Sequence, residues 1–112
     1  MRPYTQNIPV PDIGTTRTER RVQFIHTRGA VVLVRFKLWP LLVNTDIVVV
    51  GGPQCYATFD TDADDAQGLV LWPNDREGTP WFFDPEGLDM ADWFVDARVA
   101  NDGIRLFGFL KG

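Results

Sequence analysis

Residues 32–38 read Val-Leu-Val-Arg-Phe-Lys-Leu, an alternation with a period of two. Such alternation of β-branched and charged residues belongs to a half-buried strand. Val32, Val34, Phe36 and Leu38 are expected on one face, with Leu33, Arg35 and Lys37 on the other. Pro40 lacks an N–H, so it ends the ladder or puts it at an edge. The same kind of signal recurs along the chain. Residues 47–50, Ile-Val-Val-Val, form a β-branched run suited to a strand covered on both faces. Val22 and Phe24, then Cys55, Ala57 and Phe59, alternate with polar neighbours. Leu69 to Trp72 and Trp81 to Phe83 are short apolar runs, the second ended by Asp84-Pro85-Glu86-Gly87. Trp93, Val95, Ala97 and Val99 alternate, Asn101-Asp102-Gly103 marks a tight turn, and Ile104, Leu106, Gly108 and Leu110 close the pattern. A helix is indicated only over residues 88–93, as a single turn. About eight short strands separated by turn signals indicate an all-β fold. The expectation is an antiparallel β-sandwich of jelly-roll type.

Residues 1–20 read differently. Pro3, Pro9 and Pro11 fix φ and push their predecessors toward extended backbone, and Gly14 and a threonine-rich stretch follow. The expected organisation is an extended N-terminal arm over residues 1–20 and one sandwich domain over residues 21–112. An arm of this kind either stays free in solvent or lies on a neighbour's surface, ordering as it binds. Its expected subunit contacts are Tyr4, Ile8, Val10, Ile13, Arg17, Arg20 and Arg21.

The 112 residues suffice for one domain. No apolar run approaches the ~18 residues of a membrane span, and the first residues lack the apolar segment of a secretory signal. One cysteine, Cys55, excludes an intrachain disulfide framework and a thiolate zinc cluster. One histidine, His26, excludes multi-histidine metal sites. Charge is segregated. Residues 1–37 carry seven bases against two acids, a net +5, and residues 38–112 carry four against thirteen, a net −9. Opposite charge on front and back suits contact within one fold or between copies. The overall −4 argues against a non-specific nucleic-acid binder. The basic cluster of Arg17, Arg20 and Arg21 has no interleaved aromatics, so an acidic protein surface is its expected partner.

Candidate chemistry is sparse. Asp60, Asp62, Asp64 and Asp65 suggest a calcium loop. With Asp60 at position one, however, the sixth and twelfth positions hold Asp65 and Leu71 where an EF-hand needs glycine and glutamate. An acidic solvated loop is the better reading. A Cys55–His26 nucleophile pair is conceivable, but Cys55 stands at an apolar strand position where cysteine acts as a small hydrophobe. Nothing selects a pair of catalytic carboxylates, and there is no GxSxG, phosphate-cradling glycine loop or dinucleotide fingerprint. The expectation is therefore a protein without cofactor, metal or catalysis. Of Trp39, Trp72, Trp81 and Trp93, Trp72 and Trp81 flank residues 73–80 and would form a sugar-stacking platform. Core or interface packing is the other use of such rings.

The second half has a recognisable succession: Tyr56-Ala57-Thr58-Phe59-Asp60, a polar loop, Gly68-Leu69-Val70-Leu71, Trp81-Phe82-Phe83, Leu88, Trp93-Phe94-Val95 and Asp102-Gly103-Ile104-Arg105-Leu106. Over residues 50–110 it resembles small β-sandwich structural proteins of tailed bacteriophage particles. The four-aspartate loop, the tryptophan content and the arm depart from that pattern. The resemblance implies a non-enzymatic, multi-copy virion protein assembled in the host cytoplasm: a capsid decoration or cement protein, or a neck or tail adaptor. Its partners would be other virion proteins and copies of itself, with no nucleic acid and no membrane. The alternative is a carbohydrate-binding sandwich module using Trp72 and Trp81.

Overall fold

Turn chemistry and period-two patterning divide the chain into short antiparallel strands. The computed structural model describes residues 2–11, 22–24, 31–52, 58–59, 66–67 and 69–112. Among these the strands are β1 (Pro3–Pro9), β2 (Val22–Gln23), β3 (Val32–Pro40), β4 (Val48–Gly51), β5 (Thr58–Phe59), β6 (Ala66–Gln67), β7 (Leu69–Leu71), β8 (Phe82–Asp89), β9 (Phe94–Ala97) and β10 (Gly103–Leu110). One sheet has the order β1-β10-β3-β8 and a second the order β2-β9-β4-β7, while β5 and β6 pair separately. All the pairings are antiparallel. The expected helical turn is a 3-10 turn, Met90–Asp92, whose Asp89 cap accepts a hydrogen bond from the Ala91 N–H at 3.0 Å. Among the described residues no helix is long and apolar enough to cross a membrane.

The main core draws on both sheets. Ile8, Leu33, Phe36, Leu38, Ile104 and Leu106 of the first are buried in one cluster with Val48, Val50, Leu71, Val95 and Ala97 of the second. Phe36 sits at its centre, stacked on Phe82 at 4.9 Å and edge-on to Trp93 at 5.0 Å. The unbroken run 47–50 is covered on both faces, as its composition implies. Val48 and Val50 enter the inter-sheet core, while Ile47 and Val49 pack with Val70 and Phe94 on the other side.

Three sequence expectations change. First, the inward set of β3 is Leu33, Phe36 and Leu38, not Val32 and Val34 with Phe36. On β10, Phe109 pairs with Arg35 and Leu110 with Leu33, so Val34 is an extra residue in the ladder. A bulge of this kind swaps the faces on its two sides. Second, Asp84 to Gly87 do not end β8. The strand continues to Asp89, and its pairing resumes at Leu33 with Leu88. Gly87 adopts a φ of 101°, and the Lys111 ammonium donates to the Glu86 carbonyl at 2.8 Å.

Third, residues 3–10 pack within the chain itself rather than standing off it as an arm. β1 pairs along its length with β10, from Pro3 with Phe109 to Pro9 with Gly103. Ile8 and Val10, two of the expected subunit contacts, are buried in the chain's own main core. Tyr4 is half-buried and packs against the same core. Proline fits here because β1 is an edge strand, where a missing N–H breaks no inner ladder. Gly103 allows the close approach. A Cβ there would collide with the carbonyl oxygen of Ile8 and the backbone of Pro9. Ile13, Arg17, Arg20 and Arg21 lie outside the described residues.

Candidate functional site

The β1-β10-β3-β8 sheet turns one face to the core and leaves the other without a covering layer among the described residues. Its register sorts that outer face into rows. Asn7 stands opposite Arg105 and Arg105 opposite Trp39; Phe107 stands opposite Lys37, and Phe109 opposite Arg35, which in turn faces Phe83. Each β10–β3 pair in these rows therefore joins one cation to one aromatic ring. Directly opposed side chains on neighbouring strands lie within contact range. Trp81 adds a further ring, edge-on to Phe107 at 6.2 Å and tilted toward Phe109 at 6.3 Å.

The cations use the rings. The Arg35 guanidinium lies 4.4 Å from the Phe109 ring centre and 5.2 Å from that of Trp81. Its Nε is buried and makes no hydrogen bond among the described residues, so the π-faces are its compensation. Lys37 and Arg105 lie 5.3 Å and 5.7 Å from the Trp39 ring centre. The patch remains open to solvent: Trp81 is 44% exposed and Phe83 68%.

At one end of this face, the row Asn7–Arg105–Trp39 leads into a groove of about 970 Å³. It is lined by the 41–43 turn, residues 74–76, Asn101, Pro9 and Pro40. The volume is within the range of small-molecule sites, ~300–1,000 Å³. The turn at the rim is apolar and bare, with Leu42 94% and Val43 69% exposed.

Buried polar contacts fix each wall. Asn44 clamps the β3–β4 connection to the start of β10: its Nδ2 donates to the Gly103 carbonyl at 2.8 Å, and its Oδ1 accepts from the Gly103 N–H at 2.8 Å. The buried Asp102 carboxylate accepts from the backbone N–H groups of Thr45 at 3.2 Å and Asp46 at 3.1 Å. Thr79 ties the 73–80 segment to β3. Its Oγ1 accepts from the Leu38 N–H at 3.1 Å, and its own N–H donates to the Leu38 carbonyl at 2.9 Å. Asp75 shapes that loop by accepting from the N–H groups of Glu77 at 2.9 Å and Gly78 at 3.3 Å. Gly78, at a φ of 73°, lets the backbone lie against the Trp39 indole. A Cβ there would be 2.9 Å from the indole Nε1.

Asp46 and Arg98 form an ion pair at 2.8 Å beside this frame. Burial raises the Asp46 carboxyl pKa. The hydrogen bonds from Arg98 and the Ile47 N–H, with the Arg98 charge, outweigh burial and hold it below the usual aspartate value.

Trp72 and Trp81 flank residues 73–80, and Trp72 is 66% exposed. The ring neighbours of Trp81 are Phe107 and Phe109, so the two tryptophans do not stack on each other. Trp39 is the tryptophan that the fold brings to a concave site. Sequence patterning missed it because the residues that share its site, Asn7, Asn74, Asn101 and Arg105, come from three separate segments. Cys55, His26 and Asp60, Asp62, Asp64 and Asp65 lie outside the described residues. Among the described residues no group of three or more His, Cys, Asp and Glu side chains is placed to hold a metal ion. Comparison with protein-family models, curated proteins and solved structures gave no match.

Proposed function

We propose that this chain is a non-enzymatic structural protein that works in multiple copies, a virion component of the tailed-phage type. In this reading the sandwich is of jelly-roll type, and it serves as a capsid decoration or cement protein, or as a neck or tail adaptor. The observation that carries the proposal is the outer face of the β1-β10-β3-β8 sheet. Trp81 and Phe83 are large, exposed and joined to Phe107, Phe109 and Arg35 in one patch. Aromatic and arginine side chains are the types enriched at the centres of protein interfaces. Exposed, contiguous apolar surface marks a contact site more often than scattered residues do.

The sheet edges favour contact by this face. β1 carries Pro3 and Pro9, and β8 carries Pro85. Proline on an edge strand obstructs pairing with another chain's strand. Neighbouring subunits would therefore meet face to face, with Arg17, Arg20 and Arg21 as electrostatic contacts to acidic surface.

Light scattering on the purified chain and mass spectrometry of purified particles test the proposal. The expected results are a defined oligomer or particle incorporation, and loss of either in Trp81→Ser/Phe83→Ser with the melting transition retained. A monomeric wild type that is also missing from particles would overturn it. Removal of residues 1–20 is unsuitable as a probe because it deletes β1. Arg17→Ser/Arg20→Ser/Arg21→Ser tests the basic segment alone and is expected to weaken assembly most at low ionic strength.

A further inference from the structure

The groove at Trp39 is separate from the aromatic patch and has a different chemistry. The chain has four asparagines, Asn7, Asn44, Asn74 and Asn101. Three of them line the groove, and the fourth, Asn44, pins its wall to β10. Asn74 and Asn101 stand at φ of 66° and 71°, which turn geometry explains. Both residues line the groove. The amides of Asn7, Asn74 and Asn101 make no hydrogen bond among the described residues.

Two guanidiniums, Arg76 and Arg105, join them. Neither has a carboxylate partner among the described residues. The one acid lining the groove, Asp75, is engaged with the N–H groups of its own loop. The groove is thus locally basic in a chain of net charge −4. The Trp39 indole lines the groove, with Gly78 against its Nε1 edge and the Lys37 and Arg105 cations 5.3 Å and 5.7 Å from its ring centre.

We propose that this groove binds an anionic saccharide, a short glycan whose units carry a carboxylate or sulfate. An aromatic ring packs against the C–H face of a pyranose. Amides, with donor and acceptor on one planar group, match vicinal hydroxyls. Guanidiniums bind oxyanions by paired hydrogen bonds. The Trp39, asparagine and arginine side chains provide these three functions in one concavity of suitable size. The inference goes beyond assembly and is independent of it, because it uses the end of the sheet rather than the patch around Trp81.

The test is titration of the ¹⁵N-labelled protein, read at the tryptophan indole N–H signals and by calorimetry. The probes are tri-galacturonate, a sulfated chondroitin tetrasaccharide, cellotetraose and a tetraglutamate peptide. One of the two anionic glycans is expected to shift the Trp39 indole signal, identified by its loss in Trp39→Phe, and which of them binds identifies the anion. Arg76→Gln/Arg105→Gln is expected to weaken binding about tenfold or more, since charged hydrogen bonds are lost. Trp81→Ser is expected to leave binding unchanged, so failure of the assembly reading and failure of this one are distinguishable. The proposal is overturned if neither anionic glycan binds at up to about 10 mM, weaker than the millimolar end of the affinity scale. Equal binding of cellotetraose would overturn the role of charge, and equal or tighter binding of tetraglutamate would make the groove a site for acidic peptides instead.

Discussion

Asn44→Ala tests whether one buried side chain holds the groove's frame. Asn44 makes two hydrogen bonds to the same residue, each of 2.8 Å. The two ends are not equivalent. The Gly103 carbonyl also accepts from the Leu41 N–H at 3.1 Å, so it keeps a partner when the amide is removed. The Gly103 N–H donates to Asn44 Oδ1, and alanine would leave that buried donor without its acceptor. Losing the first bond costs about 0.5–1.5 kcal/mol net, and stranding the second donor costs about 1–3 kcal/mol. The sum, about 1.5–4.5 kcal/mol, is a large part of the ~5–15 kcal/mol that stabilises a domain. Urea unfolding should show the midpoint falling with an unchanged slope. The melting temperature should fall by roughly 4 °C or more per kcal/mol at this chain length. Asn101→Gly is the control. It removes an exposed amide while keeping a residue that accepts positive φ, so it should shift stability by less than about 0.5 kcal/mol. An Asn44→Ala loss below about 0.5 kcal/mol would refute the reasoning, because an unsatisfied buried donor cannot be that cheap.

Gly103→Ala should destabilise by about 2 kcal/mol or more, since the new Cβ meets the backbone of Ile8 and Pro9 and β1 must move; hydrogen exchange should localise the loss to β1 and β10, and unchanged β1 protection would contradict the close-approach argument. The Asp46–Arg98 pair makes a signed acid prediction. The Asp46 pKa is lowered in the folded state, so the pair's contribution is present above the unfolded value of about 3.9 and fades as pH falls through the folded value. Asp46→Asn should therefore be less stable than wild type at neutral pH, with the gap narrowing below about pH 4; a gap that persists undiminished at pH 2 would mean the stabilisation is not electrostatic.

The strands were legible where alternation met a turn signal. Residues 47–50 announced a doubly covered strand, and Asn101-Asp102-Gly103 announced the entry to β10. Errors arose where one residue changes a face or a partner. Val34 satisfies every rule for an inward valine, yet the bulge puts Leu33 inside, because the register is set jointly by β10 and β8. β1 was hidden by its prolines. Tyr4, Gln6, Ile8 and Val10 do alternate with outward residues, but proline-spaced polar sequence also describes a free arm, and only the partner strand distinguishes the two. The groove was the least legible feature. Its cation–aromatic rows depend on cross-strand register, which separate strand patterns do not contain.

The first sheet has two faces that solve different problems with related residues. Inside, Phe36 takes Phe82 and Trp93 as neighbours and needs no charge. Outside, each β10–β3 pair sets a cation against a ring, which lets large aromatics stand in water without forming an uninterrupted apolar surface. Arg35 between Trp81 and Phe109 keeps its alkyl stem on the sheet and its charge over the rings. Such a face breaks up the apolar surface with charge, and it would lose little if a surface with matching acids covered it, because the π-contacts of the cations persist on burial. An all-apolar face would instead aggregate, and an all-charged face would have high desolvation cost. The same pairing at the end of the sheet, Arg105 with Trp39, opens onto the asparagine-lined groove. A single alternating pattern on β3 and β10 can therefore serve both a broad contact surface and a small ligand site.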